Sequence, residues 1–259
     1  MKRLAKLFAL AILALACEES GARESMRVLF VGNSLTYYNN LPGMVESIYE
    51  SSRPNATLHA ELLASGGALI RDHLTTGHLA QILAKNRFDV VVLQELGGFP
   101  ACPADFRGCS DSPAALHEAI ALVRAAGARA ILFGTWQATP ESQRELSAAT
   151  KEMAARLQVD VADVGAAMQS ALTTTNLQTL DKTGHPLPLG SWLAAIVLTK
   201  AITMADVRPS PPAPVCQVDW TGHGPSENSL ASRQEQPPAK CYYLSEAEFN
   251  RLRAAADAR

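Results

Sequence analysis

A three-layer α/β/α domain on a five-stranded parallel sheet is the fold class this sequence predicts, and three observations predict it. Residues 28–31, 89–94 and 129–133 are short, nearly all-apolar runs, as strands covered on both faces should be. Longer segments of helical periodicity stand between them, and strands alternating with helices imply βαβ units. Right-handed crossovers then make the sheet parallel, and 2-1-3-4-5, the flavodoxin-like order, is the economical arrangement. A chain of 259 residues with 47% hydrophobic content fits one such domain.

Taken in order, the first strand covers about residues 27–32. Asn39 or Asn40 can cap a helix over 41–51, with Pro42 tolerated in its first turn. A second strand over 57–64 stops at Ser65-Gly66-Gly67, and a Leu- and Ala-rich helix follows over 77–85. The third strand, 89–94, leads into a long loop holding Cys102, Pro103 and Cys109; long loops in compact domains tend to be functional, so this one is a candidate pocket wall. Pro113 opens a helix through Ala126, Gly127 ends it, and strand four spans 129–133. A helix over 140–157, strand five over 159–164, and a helix over 166–172 complete the regular pattern. Beyond a Thr-rich linker and the segment Asp181-Lys182-Thr183-Gly184-His185-Pro186, an apolar helix runs over 191–206. Residues 208–240 are rich in Pro, Ser and Gln and read as irregular, and a short amphipathic helix over 245–255 closes the chain.

The amino terminus reads as a targeting segment. Lys2, Arg3 and Lys6 precede a ten-residue apolar run, about half the roughly 20 residues that cross a bilayer, so residues 1–16 are expected to be a signal peptide and 17–25 a tether. Ala14-Leu15-Ala16 fits an ordinary signal peptidase; Leu13 to Cys17 resembles a bacterial lipoprotein box with Cys17 as the lipidated residue, and a cysteine directly after the cut favours that reading. The expected location is the periplasm or cell envelope, with plain secretion as the alternative, and contact with a membrane only through the lipid. Loss of three positive charges would take the chain from −2 to −5, which makes nucleic acid an unfavourable partner. Four further cysteines in an exported chain point to disulfides. Of three possible pairings, the local ones, Cys102 with Cys109 and Cys216 with Cys241, each close a short Pro-rich segment. No CxxC pair or His cluster suggests a metal; His59, His73, His78, His117 and His223 are scattered and read as surface or core residues. The domain proper is expected over 26–207 and a Pro-rich tail over 208–259.

In the expected topology, loops following the strands share one edge, where ligands collect. Ser34 follows strand one, Gly66-Gly67 strand two, Gln94-Glu95 strand three, Trp136 strand four, and Asp181 to His185 the last strand and helix. These pieces suit acyl transfer: a serine hydroxyl needs a neutral imidazole to take its proton, and the imidazole needs a carboxylate to fix its tautomer. His185 and Asp181 are the candidates. Oxyanion donors would be the Ser34 N–H, the Gly66 or Gly67 N–H and the Gln94 carboxamide. Asn33, Glu95 and Trp136 are the candidate substrate contacts.

Gly32-Asn33-Ser34-Leu35-Thr36, the Gly66-Gly67 turn, and an Asp and His close together near the carboxyl end resemble the SGNH (GDSL-type) hydrolases, over roughly residues 27–206. The resemblance implies a three-layer fold, a serine esterase or acyl-hydrolase, and no metal or organic cofactor. By it Ser34 is the nucleophile, Gly66 or Gly67 an oxyanion donor, His185 the base and Asp181 its partner. Two departures stand out. Leu93-Gln94-Glu95 takes the place of the family's Gly-x-Asn-Asp block, so Gln94 would replace an asparagine donor, as in a subgroup. Three residues rather than two separate the acid from the histidine, which leaves Asp163 and Glu95 as alternative orienting acids. The expected substrate is a small-molecule or glycan ester, such as an O-acyl group on carbohydrate or cell-envelope material. Two rival readings stand beside this one: an anchored carbohydrate-binding or degenerate protein of the same fold, and an FMN phosphate cradle in the Ser- and Thr-rich loop after strand one, which gives Asp181 and His185 no role.

Overall fold

Val28 to Val31 have no accessible surface, because alternate side chains of this run enter two different cores. Val28 and Phe30 join the larger apolar cluster and Leu29 and Val31 the smaller one on the opposite face. The computed structural model describes residues 24–102, 105, 106, 108–208, 210–221, 232–235 and 240–258. The expected signal peptide, Cys17, most of the tether and His223 lie outside the described residues.

The described residues begin with β1 (Glu24–Gly32), the one-turn α1 (Ser34–Tyr37), a 3-10 turn (Tyr38–Asn40) and α2 (Leu41–Ser52). It continues through β2 (Ala56–Ala64), α3 (Ile70–Thr75), α4 (His78–Lys85), β3 (Val90–Leu93), α5 (Ser112–Ala125), β4 (Arg129–Gly134), α6 (Pro140–Leu157) and β5 (Asp160–Asp163). The last elements are α7 (Val164–Thr175), α8 (Pro188–Thr203), β6 (Val215–Cys216), β7 (Val218–Thr221), β8 (Ser232–Glu235), β9 (Cys241–Tyr242) and α9 (Glu246–Asp257). The main sheet runs β2-β1-β3-β4-β5 with every pairing parallel, the order expected from the sequence. Register aligns the carboxyl ends: Gly32 pairs with Ala64, Val31 with Leu93 and Gly134 with Asp163. The loops expected to carry the chemistry therefore leave the sheet from one edge.

Caps explain where the helices start. Asn40, in the left-handed region at φ 59°, accepts from Gly43 N and begins α2 with Pro42 in its first turn. Thr139 caps α6 through Ser142 N, and Asp163 caps α7 through Ala166 N, so α7 begins directly where β5 ends. Pro188 lies in the first turn of α8, which starts three residues earlier than its apolar pattern suggests and stops at Met204. α3 is an addition: its six residues follow the Ser65-Gly66-Gly67 turn in a stretch to which the sequence assigns no element. Its capping residue, Leu69, has no polar side chain, so the cap is made from within the helix, by Asp72 Oδ2 accepting from Leu69 N at 2.9 Å.

The tail departs most from expectation. β6 pairs with β9 and β7 with β8, both antiparallel, and the Cys216–Cys241 disulfide joins facing residues of the first pair. Val215, Trp220 and Tyr242 are buried in the larger core, as are Phe249 and Leu252 of α9, each at 0% exposure. Residue 207 is thus no packing boundary; short strands and spaced apolar residues were hidden among Pro and Ser. The second disulfide, Cys102–Cys109, ties the long loop after β3, where Cys109 packs with Leu69 and Phe99.

Candidate active site

Five side-chain and main-chain bonds converge on the turn that ends β1. The Gly32 carbonyl lies 2.9 Å from His73 Nε2 of α3. Asn33 N–H donates to Gln94 Oε1 at 2.9 Å, and the Thr36 hydroxyl donates to the same oxygen at 2.7 Å. Asn33 Nδ2 donates to the Ala68 carbonyl at 2.9 Å, while its Oδ1 accepts from Leu35 N at 3.1 Å and caps α1. Asn33 is extended (φ −140°, ψ −153°), so the next residue, Ser34, stands at the first position of α1. A methyl group at position 32 would overlap Gln94 Oε1 and Thr36 Oγ1, which explains the glycine there.

The histidine is held by a second set of bonds. Asp181 Oδ1 accepts from Thr183 N at 2.8 Å, from the Thr183 hydroxyl at 2.6 Å and from His185 N at 3.0 Å. Gly184, at φ 83°, supplies the left-handed residue that lets the chain fold back, and Asp181 N donates to the His185 carbonyl. Trp136 Nε1 donates to the Gly184 carbonyl at 2.8 Å, and Asn39 Nδ2 donates to the Pro186 carbonyl at 2.7 Å. The Tyr38 ring stacks on the imidazole, 4.3 Å between centroids and 18° between planes. So braced, His185 Nε2 stands 3.1 Å from Ser34 Oγ, although the two are 151 residues apart in sequence. That is hydrogen-bond reach for a base and a nucleophile.

Asp181 sits beside the histidine as expected, but among the described residues the group at His185 Nδ1 is the Thr183 hydroxyl, at 2.9 Å. The Thr183 hydroxyl, followed by the Thr183 and His185 N–H groups and the imidazole, holds the Asp181 carboxyl below the ordinary carboxylate range against a smaller desolvation effect. Thr183 was missed by sequence reasoning; the extra residue between acid and histidine was the visible signal. The alternative acids are elsewhere. Asp163 accepts from Ser147 and Ala166 and pairs with Lys151, and Glu95 is buried beneath the turn.

Three further expectations are corrected. The Gln94 carboxamide is fully buried, its oxygen taken by Asn33 and Thr36 and its nitrogen donating to the Glu95 carbonyl. It builds the nucleophile turn and faces no oxyanion. Glu95, 5% exposed, accepts from Ile70 N, Leu96 N and Ser112 Oγ, with burial pushing its carboxyl up; it is a structural acceptor, not a substrate contact. The Asn33 side chain is likewise spent on Ala68 and Leu35. By contrast, the N–H groups of Ser34, Gly66 and Gly67 donate to no acceptor among the described residues. Space for a side chain at Gly66 ends 3.3 Å from the Tyr37 hydroxyl, next to the nucleophile helix, and Gly67 turns at φ 67° into open space.

Ser34 and His185 open onto a cleft of about 1010 Å³. Leu96, Phe106, Trp136, Met168 and Leu172 give it apolar walls, and Gln137, Gln169, Asn176 and Gln178 supply carboxamides. Phe106 comes from the disulfide-tied loop, so that loop does wall the cleft. Among the described residues, no three His, Cys, Asp or Glu side chains converge as a metal site.

Comparison with solved structures finds a protein of Slackia heliotrinireducens assigned to the SGNH hydrolases, 31% identical, covering 69% of this chain and 100% of its own, with a TM-score of 0.54. Axe2, an acetylxylan esterase from Geobacillus stearothermophilus, is 17% identical over 72% of this chain and 99% of its own, with a TM-score of 0.57. Catalytic mutants of Axe2 replace a histidine, an aspartate and a serine by alanine. No family profile and no curated protein sequence matches the chain.

Proposed function

The chain belongs to the SGNH hydrolases, enzymes that act on ester bonds, and from that premise we propose that it is an exported serine esterase removing O-acyl groups from carbohydrate or cell-envelope material. The observation that carries the catalytic part is the 3.1 Å approach of His185 Nε2 to Ser34 Oγ at the mouth of the cleft. Ser34 Oγ attacks the acyl carbonyl while Nε2 takes its proton, and the carbonyl π electrons move to oxygen. The free N–H groups of Ser34 and of Gly66 or Gly67 receive that oxyanion. Donors of this kind contribute about 2.7 to 4 kcal/mol each to the transition state. The C–O bond to the alcohol then breaks, and the imidazolium returns the proton to the leaving oxygen. Water, deprotonated by the same imidazole, then attacks the acyl-serine; the bond from the acyl carbon to Ser34 Oγ breaks, the imidazolium returns its proton to that oxygen, and the free acid leaves.

The substrate assignment is supported by the esterase activity named for Axe2 and by the cleft. Its volume exceeds what a short acyl group fills, and mixed apolar and carboxamide walls suit a sugar ring's two kinds of face. Export is supported by the basic and apolar amino terminus and by two disulfides, bonds that persist in oxidising compartments. In this reading Cys17 carries the lipid and the protein faces the periplasm or cell envelope.

Purified protein is expected to hydrolyse p-nitrophenyl acetate and to release acetate from acetylated xylo-oligosaccharide, and to label with a fluorophosphonate. Ser34→Ala should lower kcat by about 10³-fold or more and abolish labelling, with an unchanged circular dichroism spectrum. Equal turnover by wild type and Ser34→Ala would overturn the reading.

A further inference from the structure

Asp181 and His185 are one residue further apart than a direct carboxylate–imidazole pair of this family would have them, and the structure shows what fills the gap. Thr183 Oγ1 lies 2.6 Å from Asp181 Oδ1 on one side and 2.9 Å from His185 Nδ1 on the other, and His185 Nε2 lies 3.1 Å from Ser34 Oγ. We infer that Thr183 is a positioning residue that transmits the Asp181 carboxylate to the imidazole, so that the working unit is Ser34–His185–Thr183–Asp181. The inference rests on the serine-esterase reading of the same site.

Proton counting fixes the direction of the chain of bonds. An ionised carboxylate only accepts, so the single Thr183 hydroxyl proton goes to Asp181. The hydroxyl oxygen is then left as an acceptor, and the group opposite it, His185 Nδ1, carries a hydrogen. With Nδ1 protonated, Nε2 of the neutral ring bears the lone pair that faces Ser34 Oγ, the tautomer required for proton abstraction. When the ring takes the serine proton, its Nδ1–H already points at an oxygen polarised by a negative charge. Bonds in such a series strengthen one another.

The surrounding backbone holds this geometry. Asp181 Oδ1 also accepts from Thr183 N and His185 N, so one oxygen fixes the positions of both the hydroxyl and the histidine. Trp136 and Asn39 clamp the Gly184 and Pro186 carbonyls on either side of His185, and Tyr38 covers one ring face. Among the described residues, no other side-chain oxygen stands at Nδ1.

Four variants decide the matter. Thr183→Val keeps the branched shape and removes the hydroxyl; Thr183→Ser keeps the hydroxyl. Thr183→Val is expected to lose roughly 10²-fold in kcat with KM within about twofold, less than the ~10⁴-fold that a wrongly fixed tautomer costs, and Thr183→Ser is expected to recover most of it. Asp181→Ala should be costly in wild type but add little in a Thr183→Val background, since the route from the carboxylate to the ring is already cut. The tautomer itself is read by NMR: ring-nitrogen shifts of His185 at neutral pH should report hydrogen on Nδ1 in wild type and Thr183→Ser, and a shift toward Nε2 in Thr183→Val. A Thr183→Val enzyme with wild-type kcat and tautomer overturns the relay, as does multiplicative loss in the double variant. An inactive wild type that fails to label would instead defeat the esterase reading, and the NMR comparison would still judge the relay.

Discussion

At the scale of single residues, the side chain whose role changes most is Gln94. Its oxygen satisfies two buried donors, Asn33 N–H and the Thr36 hydroxyl, and its amide nitrogen meets the Glu95 carbonyl. Gln94→Ala would strand those donors without solvent, at about 1–3 kcal/mol for each buried group left unpaired. Its stability in urea is expected to fall by roughly 2–4 kcal/mol. An oxyanion donor predicts the reverse pattern, a large loss in kcat at unchanged stability, so equilibrium unfolding beside kinetics separates the two. The same distinction explains what was legible in the residues. Ser34 and His185 were visible because nucleophile and base are unusual residue types at the ends of apolar runs, in the order such a sheet requires. The role of Gln94 was not, because a carboxamide after a strand reads alike whether its partners are a substrate oxygen or the backbone of a neighbouring turn. Thr183 was hidden for a related reason: its hydroxyl acquires a meaning only once Gly184 folds His185 back over Asp181.

At the scale of elements, the nucleophile turn depends on α3, a helix the sequence did not disclose. Strands and long helices were legible because burial on one or both faces imposes a period on the apolar residues. A six-residue helix whose capping position is a leucine imposes almost none. Yet α3 carries His73, 4% exposed, whose Nε2 stands at the Gly32 carbonyl. Burial lowers the pKa of His73; the Gly32 carbonyl and Asp72 oppose that shift, and His78 adds to it. The unfolded chain therefore takes up this proton at the ordinary histidine value, near pH 6.5, before the native state does. The stabilising contribution is complete above that value and is lost as the pH falls toward the lowered native value. Wild-type stability is accordingly expected to decline as the pH falls below about 6.5. In His73→Gln, which presents a donor to Gly32 but does not titrate, the decline should be shallower. Urea midpoints at several pH values measure it, and parallel curves for the two proteins would refute the assignment.

For the whole molecule, the question is where the folding unit ends. Composition places a boundary near residue 207, since the following stretch is crowded with Pro, Ser and Gln. Packing places none. Val215, Trp220, Tyr242, Phe249 and Leu252 share one apolar cluster with Met44 and Ile48 of α2, Met168 of α7 and Trp192 of α8. The tail also reaches the site's supports: Asn40 Nδ2 donates to the Cys216 carbonyl at 3.0 Å, one residue after the Asn39 that grips Pro186, and Ser47 donates to the Ala213 carbonyl at 2.7 Å. The Cys216–Cys241 disulfide ties the strand that Asn40 contacts to β9, directly ahead of α9. Removing a buried phenylalanine side chain from such a core costs about 3–5 kcal/mol, a large share of the roughly 5–15 kcal/mol that holds a domain together. Phe249→Ala is therefore expected to lower the unfolding free energy by that amount, although Phe249 belongs to the terminal helix rather than to the sheet or the site. A chain ending at residue 207 would expose the apolar faces of α2, α7 and α8 together, and it should give neither a cooperative urea transition nor fluorophosphonate labelling at Ser34. A stable, labelling fragment would restore the compositional boundary; its failure would mean that residues 208–259 are part of the scaffold that brings His185 to Ser34.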